Sequence, residues 1–491
     1  MVRYHTLTRI IVAFALFLCL FSPIEASAAV SYPSYNYSYW ENTDPSPLPY
    51  TPEKVIDGRG TSYGLLNSPE DVFVSKDNTL YIVDSGNNRI IVLDENYELI
   101  QVIDTFQNGT STDQFNDPKG IFVTEEGSIY VADTGNQRVI ELTEEGEFIR
   151  EIGAPQSDVI RTGFEYHPIK IAVDKADRIY VIGRGVYDGI IEFDSDGIFT
   201  GFIGANRVRF NPIDYVWRII ATEEQREKMA LFIPIEFNNL DIDEEGFIYT
   251  TNAEEDTSTP IQRLNPTGED VLRKEGYHEL IGDLEYAHTG SSAGTSTFVD
   301  VSINQFGMYS ALDIKRGRVF TYDEDGNLLY IFGQLGDQVG TFRTPVAIDQ
   351  LGEDIIVLDK GNHRLTVFKP TVFGSHVNQA VHYYNQGDDQ ASAEYWKEVL
   401  QLNANYEIAY IGIGKSLLME GKNKEAMTYF KNGHSRSYYS KAYKRYRQEI
   451  LREHFGLGMT VMVCFFLCVA SLITFRKIKR RKVSGVENGM D

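Results

Sequence analysis

Six polar residues occupy comparable points of a pattern that repeats along the chain, each close to the start of an apolar run. They are Glu70, Lys119, His167, Lys170, Asn239 and Asp300. Carboxylate and amide oxygens are the ligands that Ca²⁺ prefers, so Glu70, Asn239 and Asp300 could bind calcium if the fold brings them together. A zinc site is not expected, because His167 is the sole imidazole in this set and its two lysines would repel a metal ion. We therefore treat the six as a possible ligand face and assign no catalytic, metal-binding or cofactor-binding residue.

Two aromatic residues, Tyr215 and Trp217, belong to the same possible ligand face. They could stack on a sugar or a peptide, or they could pack short helices onto the body of the protein. His278 and His288 fall in what we expect to be a loose insertion. The chain contains no G-x-S-x-G nucleophile motif, phosphate-binding loop or dinucleotide fingerprint. These observations favour binding over catalysis and predict no cofactor.

A short phrase, Asp-x-Gly-Asn-x-Arg, returns three times, and β-rich runs flank every copy. The copies are Asp84–Arg89, Asp133–Arg138 and Asp359–Arg364. We expect each to be a tight hairpin in which Gly and Asn supply the positive φ that the turn requires. The repeated charges could form a ring that binds an anionic or sugar ligand, or they could be a turn network that pairs neighbouring blades.

The spacing of these phrases predicts a six-bladed β-propeller with about four strands in each blade. The inner strands should begin near Val72, Ile121, Ile171, Leu240, Val301 and Val346. No fourth strand follows Phe368. The segment Lys54–Asp57 matches the fourth-strand segment Tyr330–Gly333, so we expect an N-terminal strand to complete the last blade and to close the ring.

The stretch Pro118–Val139, Pro-x-Gly-Ile-x-Val followed by Gly-x-Ile-Tyr-Val-Ala-Asp-x-Gly-Asn-x-Arg-Val, resembles the NHL repeat. The first, second and sixth blades match this pattern well, and the other three are degenerate. The resemblance implies the propeller fold. Some six-bladed relatives are lactonases or lyases that use a central metal, so the resemblance also leaves an enzyme reading open.

Residues 373–440 resemble two tetratricopeptide (TPR) repeats, since Gly387 and Gly421, like Trp396 and Phe430, are 34 positions apart. In a propeller, the loops from fourth to first strand and from second to third strand share one face, which we call the upper face. Two insertions, 205–234 and 276–297, interrupt loops on that face. Insertions gathered on one face of a repeat protein usually mark its binding side.

The ends of the chain predict export and a membrane anchor. Residues 1–28 have the features of a secretory signal, and Leu457–Phe475 is an uncharged stretch of 19 residues followed by a basic tail. Basic residues after a span favour a cytoplasmic tail. The net charge of −24 excludes nucleic acid as a partner, and the three cysteines all lie in the apolar terminal stretches.

The sequence thus predicts a single-pass cell-membrane protein with its N-terminal ectodomain outside. Its segments are a signal peptide (1–28), an extended Tyr- and Pro-rich arm (29–51), the propeller (52–370), the TPR-like repeats (373–455), a transmembrane helix (457–475) and a cytoplasmic tail (476–491). The expected function is binding or scaffolding of a protein, carbohydrate or peptide on the insertion-bearing face, in association with a cell-envelope or transport complex. The alternative is an extracellular metal-dependent enzyme of the lactonase or lyase type.

Overall fold

The computed structural model describes residues 32–157, 160, 163–204, 236–252, 259–287 and 293–487, with side chains to residue 479. The predicted signal peptide, Tyr215, Trp217 and His288 lie outside the described residues.

The chain forms a six-bladed β-propeller whose blades are antiparallel sheets in chain order, as predicted. The strands, from the inner to the outer one, are as follows. Blade 1 has Asp71–Val74, Leu80–Asp84, Arg89–Leu93 and Leu99–Ile103. Blade 2 has Gly120–Val123, Ile129–Asp133, Arg138–Leu142 and Phe148–Ile152. Blade 3 has Pro168–Val173, Ile179–Gly183, Ile190–Phe193 and Phe199–Ile203. Blade 4 has Phe237–Ile242, Ile248–Asn252 and Ile261–Leu264. Blade 5 has Phe298–Ile303, Tyr309–Asp313, Arg318–Tyr322 and Leu328–Phe332. Blade 6 has Pro345–Leu351, Asp354–Asp359, Arg364–Pro370 and the N-terminal strand Tyr50–Ile56.

The N-terminal strand closes the ring, which confirms the prediction. Tyr50–Ile56 pairs antiparallel with Arg364–Pro370, with Ile56 opposite Leu365 and Tyr50 opposite Pro370. This pairing satisfies the free edge of blade 6, which would otherwise expose unpaired backbone groups. Tyr50 is 2% exposed, so the strand is also held by its side chains.

Blade 4 departs from the predicted four strands, because only three are present among the described residues. Beyond the third strand, a single bridge joins Leu264 to Asp270. The chain then crosses to the next blade, where the Glu275 amide donates to the Asp325 carbonyl at 2.8 Å. The segment that follows the third strand of blade 4 therefore leads into blade 5 and forms no fourth strand of blade 4.

The hydrophobic core lies between neighbouring blades. Alternate residues of a strand face opposite sides of its sheet, so each blade presents one apolar face to the blade on either side. Leu80 and Ile82 of blade 1, for example, belong to one cluster with Ile356 and Leu358 of blade 6, and all four are fully buried. Truncating such a side chain to alanine costs about 2–5 kcal/mol.

The sequence predicted an extended N-terminal arm, but part of the arm folds into a hairpin. Tyr35–Tyr37 pairs with Thr43–Pro45 in a short hairpin. Asn36 donates to the Leu329 carbonyl at 3.1 Å, and the Tyr37 hydroxyl donates to Asp283 at 3.0 Å. The hairpin satisfies its own backbone while its tyrosines pack onto blade 5. A further hairpin, Thr105–Asn108 with Ser111–Gln114, connects blades 1 and 2.

Five helices follow the propeller. They are α1 (Val372–Asn385), α2 (Asp389–Leu402), α3 (Glu407–Met419), α4 (Asn423–Asn432) and α5 (Arg436–Glu487). Thr371 and Asp388 cap the first two by accepting backbone N–H bonds. Helix α1 rests on the first-to-second-strand turns of blades 5 and 6, where Asn385 donates to the Phe306 carbonyl at 2.8 Å and Gln379 donates to Glu353 at 2.9 Å.

Helix α5 is long and begins within the helical bundle. Arg445 donates to the Leu418 carbonyl at 3.0 Å, and Glu449 accepts from Asn423 at 3.2 Å. Its segment Arg436–Lys479 has a mean hydropathy of 2.4 in its most apolar window and is long enough to cross a membrane. The bundle and the apolar segment therefore share one continuous helix.

Candidate functional site

The inner strands surround a central channel, and alternate residues on each strand form layers along it. The strand registers define an upper layer of Asp71, Gly120, Lys170, Asn239, Asp300 and Ala347. Two residues further along each strand, they define a middle layer of Phe73, Phe122, Ala172, Asp241, Ser302 and Asp349. Three of the predicted ligand residues thus share the upper layer, whereas Glu70, Lys119 and His167 lie just above it.

Lys170 is the central cation of the upper layer. Its ammonium group lies 2.5 Å from Asp71, and the two side chains are 12% and 5% exposed. Burial alone would lower the pKa of Lys170, but the nearby Asp300 and Asp71 raise it above its ordinary value. Asp300 also accepts a hydrogen bond from the amide nitrogen of Asn239. The upper layer therefore contains one ion pair, Lys170 with Asp71, and one hydrogen-bonded pair, Asn239 with Asp300.

Glu70 lies above this layer between two lysines. Its carboxylate is 2.5 Å from Lys119 and 2.6 Å from Lys360. Burial acts to raise the pKa of Glu70, yet the hydrogen bonds from both lysines hold it below its ordinary value. Sequence reasoning missed Lys360, although it holds the second position of the third hairpin phrase, where the other copies have Ser or Thr.

Four channel aspartates join neighbouring blades. Each accepts the backbone N–H of the residue that follows it and a second N–H from the inner strand of the next blade. The cross-blade bonds are Asp71 with Ile121 at 3.0 Å, Asp241 with Ile303 at 3.2 Å, Asp300 with Ile348 at 2.7 Å and Asp349 with Val74 at 2.6 Å. The last of these crosses the point where the ring closes. Of these four, the sequence analysis singled out only Asp300.

Burial perturbs several of these carboxyl groups. It raises the pKa of Asp241 to about 6 and that of Asp300 to about 7, the latter despite the opposing charge of Lys170. Burial and the neighbouring Asp241 raise the pKa of Asp349 well above its ordinary value. These aspartates tie neighbouring blades together, and their carboxyl groups hold a proton to higher pH than an exposed aspartate does.

The residues at the channel mouth do not fit a divalent metal ion. The structure brings Asn239 and Asp300 into contact, but Glu70, the third residue of the predicted calcium set, pairs with lysines instead. The ammonium group of Lys170 takes the cationic position beside Asp71. Among the described residues, no three His, Cys, Asp or Glu side chains form a group that could hold a metal.

His167, the predicted imidazole, stands apart from this network. Its ring lies 3.5 Å from the exposed Glu165, and its backbone carbonyl accepts from the Arg184 amide at 2.8 Å. The side chain is partly exposed on the upper face. Tyr215 and Trp217, the aromatic residues of the predicted ligand face, lie outside the described residues.

The hairpin phrases are buried turn networks. Asp133 is fully buried, and its carboxylate accepts from the Asn116 amide at 2.7 Å, from Asn136 at 2.9 Å and from Arg138 at 2.8 Å. Asp84 makes the equivalent contacts in blade 1. Each of these two aspartates thus connects its hairpin to the loop that leads into the same blade. In these two blades the phrase has a structural role.

The role predicted for glycine in these hairpins is wrong. The left-handed residue is the one after Asn, since Asn88, Gln137 and His363 have φ of 53°, 58° and 51°. Gly135 instead allows close approach, because a Cβ there would lie 2.6 Å from the Asn116 carbonyl oxygen. Gly86 has the same relation to Asn67.

The described part of the second insertion is packed, which corrects the expectation that it is loose. Asp283 is fully buried, accepts from the Tyr37 hydroxyl and pairs with Arg318. His278 packs edge-on to Tyr37, with ring centroids 6.2 Å apart. The N-terminal arm and this insertion therefore stabilise one another over blade 5.

A cavity of about 520 Å³ extends from the upper layer down the channel. Its rim is formed by the first-to-second-strand turns of blades 1–4, on what we call the lower face; the rim residues include Lys76, Glu125, Lys175 and Glu244. The cavity therefore opens on the side away from Glu70, Lys119 and His167, while Lys170, Asn239 and Asp300 of the predicted ligand face line its inner end. Helix α1 covers the corresponding turns of blades 5 and 6.

Comparison with known proteins gives one family match and structural likenesses. Residues 64–165 match the family described as SMP-30/gluconolactonase/LRE-like region. No curated protein matches the chain in sequence. The matched segment covers blades 1 and 2 with the loops that lead into blades 1 and 3.

Several solved structures are similar to this chain at low identity. Virginiamycin B lyase from Staphylococcus aureus is 10% identical with a TM-score of 0.39, over 64% of this chain and 98% of that one. A gluconolactonase from Xanthomonas campestris is 12% identical with a TM-score of 0.38, over 62% of this chain and 87% of that one. Hydrazine synthase of Kuenenia stuttgartiensis is 12% identical with a TM-score of 0.36, over 63% of this chain and 98% of that one. Such diverse proteins share only a general resemblance with this chain, so function must be argued from its own residues.

Proposed function

We propose that this protein is a membrane-anchored extracellular binding or scaffold protein in which the propeller is the recognition module. The observation that carries the proposal is the pairing of the upper channel mouth. The charged residues there are all paired. Lys119 pairs with Glu70, and Lys170 pairs with Asp71. Asp300 accepts hydrogen bonds from the Asn239 side chain and the Ile348 amide. A general acid or base must be free to exchange a proton with a substrate, and a metal centre needs converging donors.

The anchor is the apolar part of α5. Because this helix starts in the bundle that rests on blades 5 and 6, the propeller is attached to the anchor through a packed connection and not a loose linker. The predicted signal peptide and the basic residues after the span support an ectodomain outside and a tail in the cytoplasm.

The proposed recognition surface is the upper face, to which the sequence assigns two insertions; the first of them, 205–234, lies outside the described residues. Its partners would be proteins of a cell-envelope or transport complex, or a carbohydrate or peptide ligand. The helices, which resemble TPR repeats, would supply a second interaction surface close to the membrane.

Site-specific photo-crosslinking in native membranes tests this proposal. A benzophenone amino acid is placed at Leu65 on the upper face or, as a matched control, at Ile198 on the lower face. The two apolar side chains are similarly exposed, at 58% and 63%. We expect a discrete crosslinked partner from position 65 alone. Equal labelling from both positions, or none from either, would remove the case for an upper recognition face.

The alternative is an extracellular metal-dependent enzyme of the lactonase or lyase type, which the family match at 64–165 favours. The full-length protein in detergent would be assayed for lactone opening with Ca²⁺, Mg²⁺, Mn²⁺ or Zn²⁺, beside an Asp300→Asn variant. Metal-dependent turnover that is lost in the variant would establish the enzyme and displace the binding proposal.

A further inference from the structure

The outward side of helix α5 is basic, and nothing in the chain packs against it. Its exposed side chains, which the helical period places on one side and which we call the α5 basic face, are Arg436, Tyr443, Lys444, Arg447 and Leu451. The opposite side of the helix belongs to the bundle, since Ala442 is fully buried and Tyr438 stacks on Phe430 with ring centroids 5.4 Å apart. One half of this part of α5 is therefore packed and the other half is open.

The three cations of the α5 basic face are unpaired in a protein whose net charge is −24. Among the described residues, the side chains of Arg436, Lys444 and Arg447 have no ion pair and no hydrogen bond. Arg138 of the propeller, by contrast, pairs with three carboxylates at 2.8–3.0 Å. Tyr443 and Leu451 add exposed apolar surface, at 48% and 60%. Unpaired cations beside exposed apolar side chains indicate an interaction surface for an acidic partner.

The height of this face above the membrane favours a protein partner over lipid. A helix rises about 1.5 Å per residue, so Lys444 and Arg436 stand about 20 Å and about 32 Å from the start of the uncharged stretch at Leu457. The headgroup region adds roughly 5–8 Å to the hydrocarbon core on each side. Charges are screened over about 8 Å at physiological ionic strength. Lipid headgroups therefore do not reach these two cations.

Blade 5 shows what kind of protein surface fits the helices. The turn between its third and fourth strands, Asp323–Asn327, lies against the bundle, where Asp325 is 3.6 Å from the ammonium group of Lys415. The two side chains are 18% and 15% exposed. Lys415 also lies over the ring of Tyr438, close to the start of α5, at 5.1 Å. An acidic turn of a blade therefore already docks beside α5 within the chain.

Blade 2 has an equivalent turn, Thr143–Glu147, between its third and fourth strands. The Thr143 amide donates to the Glu147 carbonyl at 2.8 Å, just as the Asp323 amide donates to the Asn327 carbonyl at 3.0 Å. Four exposed side chains of this turn and the strand after it, which we call the blade 2 rim, are Glu144, Glu145, Glu147 and Ile149. Within the described part of the chain, these glutamates have no ion-pair partner.

The blade 2 rim cannot reach the helices of its own chain. In a closed ring of six blades, blade 2 lies opposite blade 5. The bundle rests on blades 5 and 6, where Asn385 donates to the Phe306 carbonyl and Gln379 donates to Glu353. The rim therefore faces away from its own α5 and toward whatever stands beside the molecule, at the level of the turn that docks on Lys415.

We propose that copies of this protein associate side by side, with the α5 basic face of one copy binding the blade 2 rim of the next. The three cations then face three glutamates, and Tyr443 and Leu451 lie against Ile149. The contact uses a different surface on each copy. Because the proposed anchor holds all copies upright in one membrane, a rotation about the membrane normal closes such contacts into a ring. The upper recognition face takes no part in this contact.

Analytical ultracentrifugation of the full-length protein in detergent tests the contact by exchanging its charges. The variants are the helix reversal, Arg436→Glu with Lys444→Glu and Arg447→Glu, and the rim reversal, Glu144→Lys with Glu145→Lys and Glu147→Lys. We expect the wild type to associate in about 50 mM salt and to dissociate in about 500 mM salt. Each reversal should weaken association at least about tenfold, and an equimolar mixture of the two should restore it because opposite charges meet again.

A matched control changes the net charge equally at exposed positions elsewhere on the bundle. It combines Lys397→Glu, Lys424→Glu and Lys431→Glu and should associate as the wild type does. Thermal unfolding checks that every variant is folded, which is expected because all the substituted side chains are exposed.

Cysteine crosslinking in native membranes locates the contact. With Cys464 and Cys468 replaced by serine, a copy that carries Tyr443→Cys is expressed with a differently tagged copy that carries Ile149→Cys, and a short bis-maleimide is added. We expect a crosslink between the two tags. Leu65→Cys on the upper face replaces Ile149→Cys as the control, since Leu65 is similarly exposed, at 58% against 44%.

Four results would overturn the proposed association. They are a monomer in low salt, association that neither reversal weakens, a mixture of the two reversals that stays monomeric, and equal crosslinking to the rim and to position 65. The second would place the contact between copies elsewhere, for instance in the apolar part of α5.

Discussion

Replacing Lys170 with methionine removes the one ammonium group of the upper channel layer and leaves Asp71 buried without its partner. The two charged groups are 2.5 Å apart, and their side chains are 12% and 5% exposed. Because an unpaired carboxylate cannot stay ionised in such a place, Asp71 should take up a proton in the folded variant. Folding must then supply the free energy of that protonation.

The size of the loss depends on pH. With an ordinary pKa of 3.8 for Asp71, each pH unit above that value costs about 1.36 kcal/mol. The protonation cost is therefore at most about 4.4 kcal/mol at pH 7 and about 1.6 kcal/mol at pH 5. The sign follows from linkage, since the folded variant binds a proton that the unfolded chain has released, and its stability falls as pH rises.

The assay is urea unfolding of the full-length protein in detergent, followed by tyrosine and tryptophan fluorescence at pH 5 and pH 7. We expect Lys170→Met to lose clearly more stability at pH 7 than at pH 5. Lys76→Met is the matched control, because Lys76 forms an exposed pair with Glu125, and it should differ little from the wild type at either pH. An equal loss at both pH values would refute the proposed role of Lys170 as the counter-ion of a buried carboxylate.

Four further predictions concern the fold. Gly135→Ala should destabilise the propeller by about 1–3 kcal/mol, since its Cβ would meet the Asn116 carbonyl. Gln137→Gly should be neutral or should stabilise the propeller by up to about 1 kcal/mol, because Gln137 has φ of 58°, which glycine adopts without strain. If the urea midpoints instead showed Gln137→Gly to be the less stable of the two variants, glycine at position 135 would not be required for the close contact. Burial raises the pKa of Asp300 to about 7 in the folded protein, whereas its pKa in the unfolded chain is near 4. The folded protein therefore binds this proton more tightly than the unfolded chain does. The resulting stabilisation is complete below pH 4 and is lost as the pH rises through 7. Asp300→Asn should flatten stability between pH 5 and pH 8, and an unchanged slope would contradict this. Deleting Tyr50–Ile56 should open blade 6 and increase proteolysis at Arg364–Pro370, and unchanged resistance to limited proteolysis would refute ring closure by this strand.

The repeating pattern was sufficient to predict the propeller and its closure. Every blade needs two apolar faces and a turn at fixed intervals, so strands and hairpins leave a periodic trace in the chain. The match between Lys54–Asp57 and Tyr330–Gly333 worked because both segments fill the same outer position of a blade. Blade 4 was harder, since what ends it is a crossing to Asp325 that no local residue pattern encodes.

The candidate site was predicted only in part, because side-chain partners depend on neighbouring blades. The sequence identified Lys170, Asn239 and Asp300, which do share a layer, but it gave no sign that Asp71 would pair with Lys170 across 99 positions. The roles of Asp241 and Asp349 depend on backbone N–H groups of the next blade, which residue identity does not reveal. Glycine was misjudged for a similar reason, since its role at Gly135 is contact with another loop.

The protein's own lysines neutralise the carboxylates of the channel mouth, so this mouth is not a metal centre. The most direct measurement is elemental analysis of the full-length protein in detergent, together with thermal unfolding before and after chelator treatment. We expect no stoichiometric divalent metal at the channel and no change in the unfolding midpoint on chelation. A stoichiometric calcium or zinc ion whose removal lowers the midpoint would contradict it and would support the enzyme alternative.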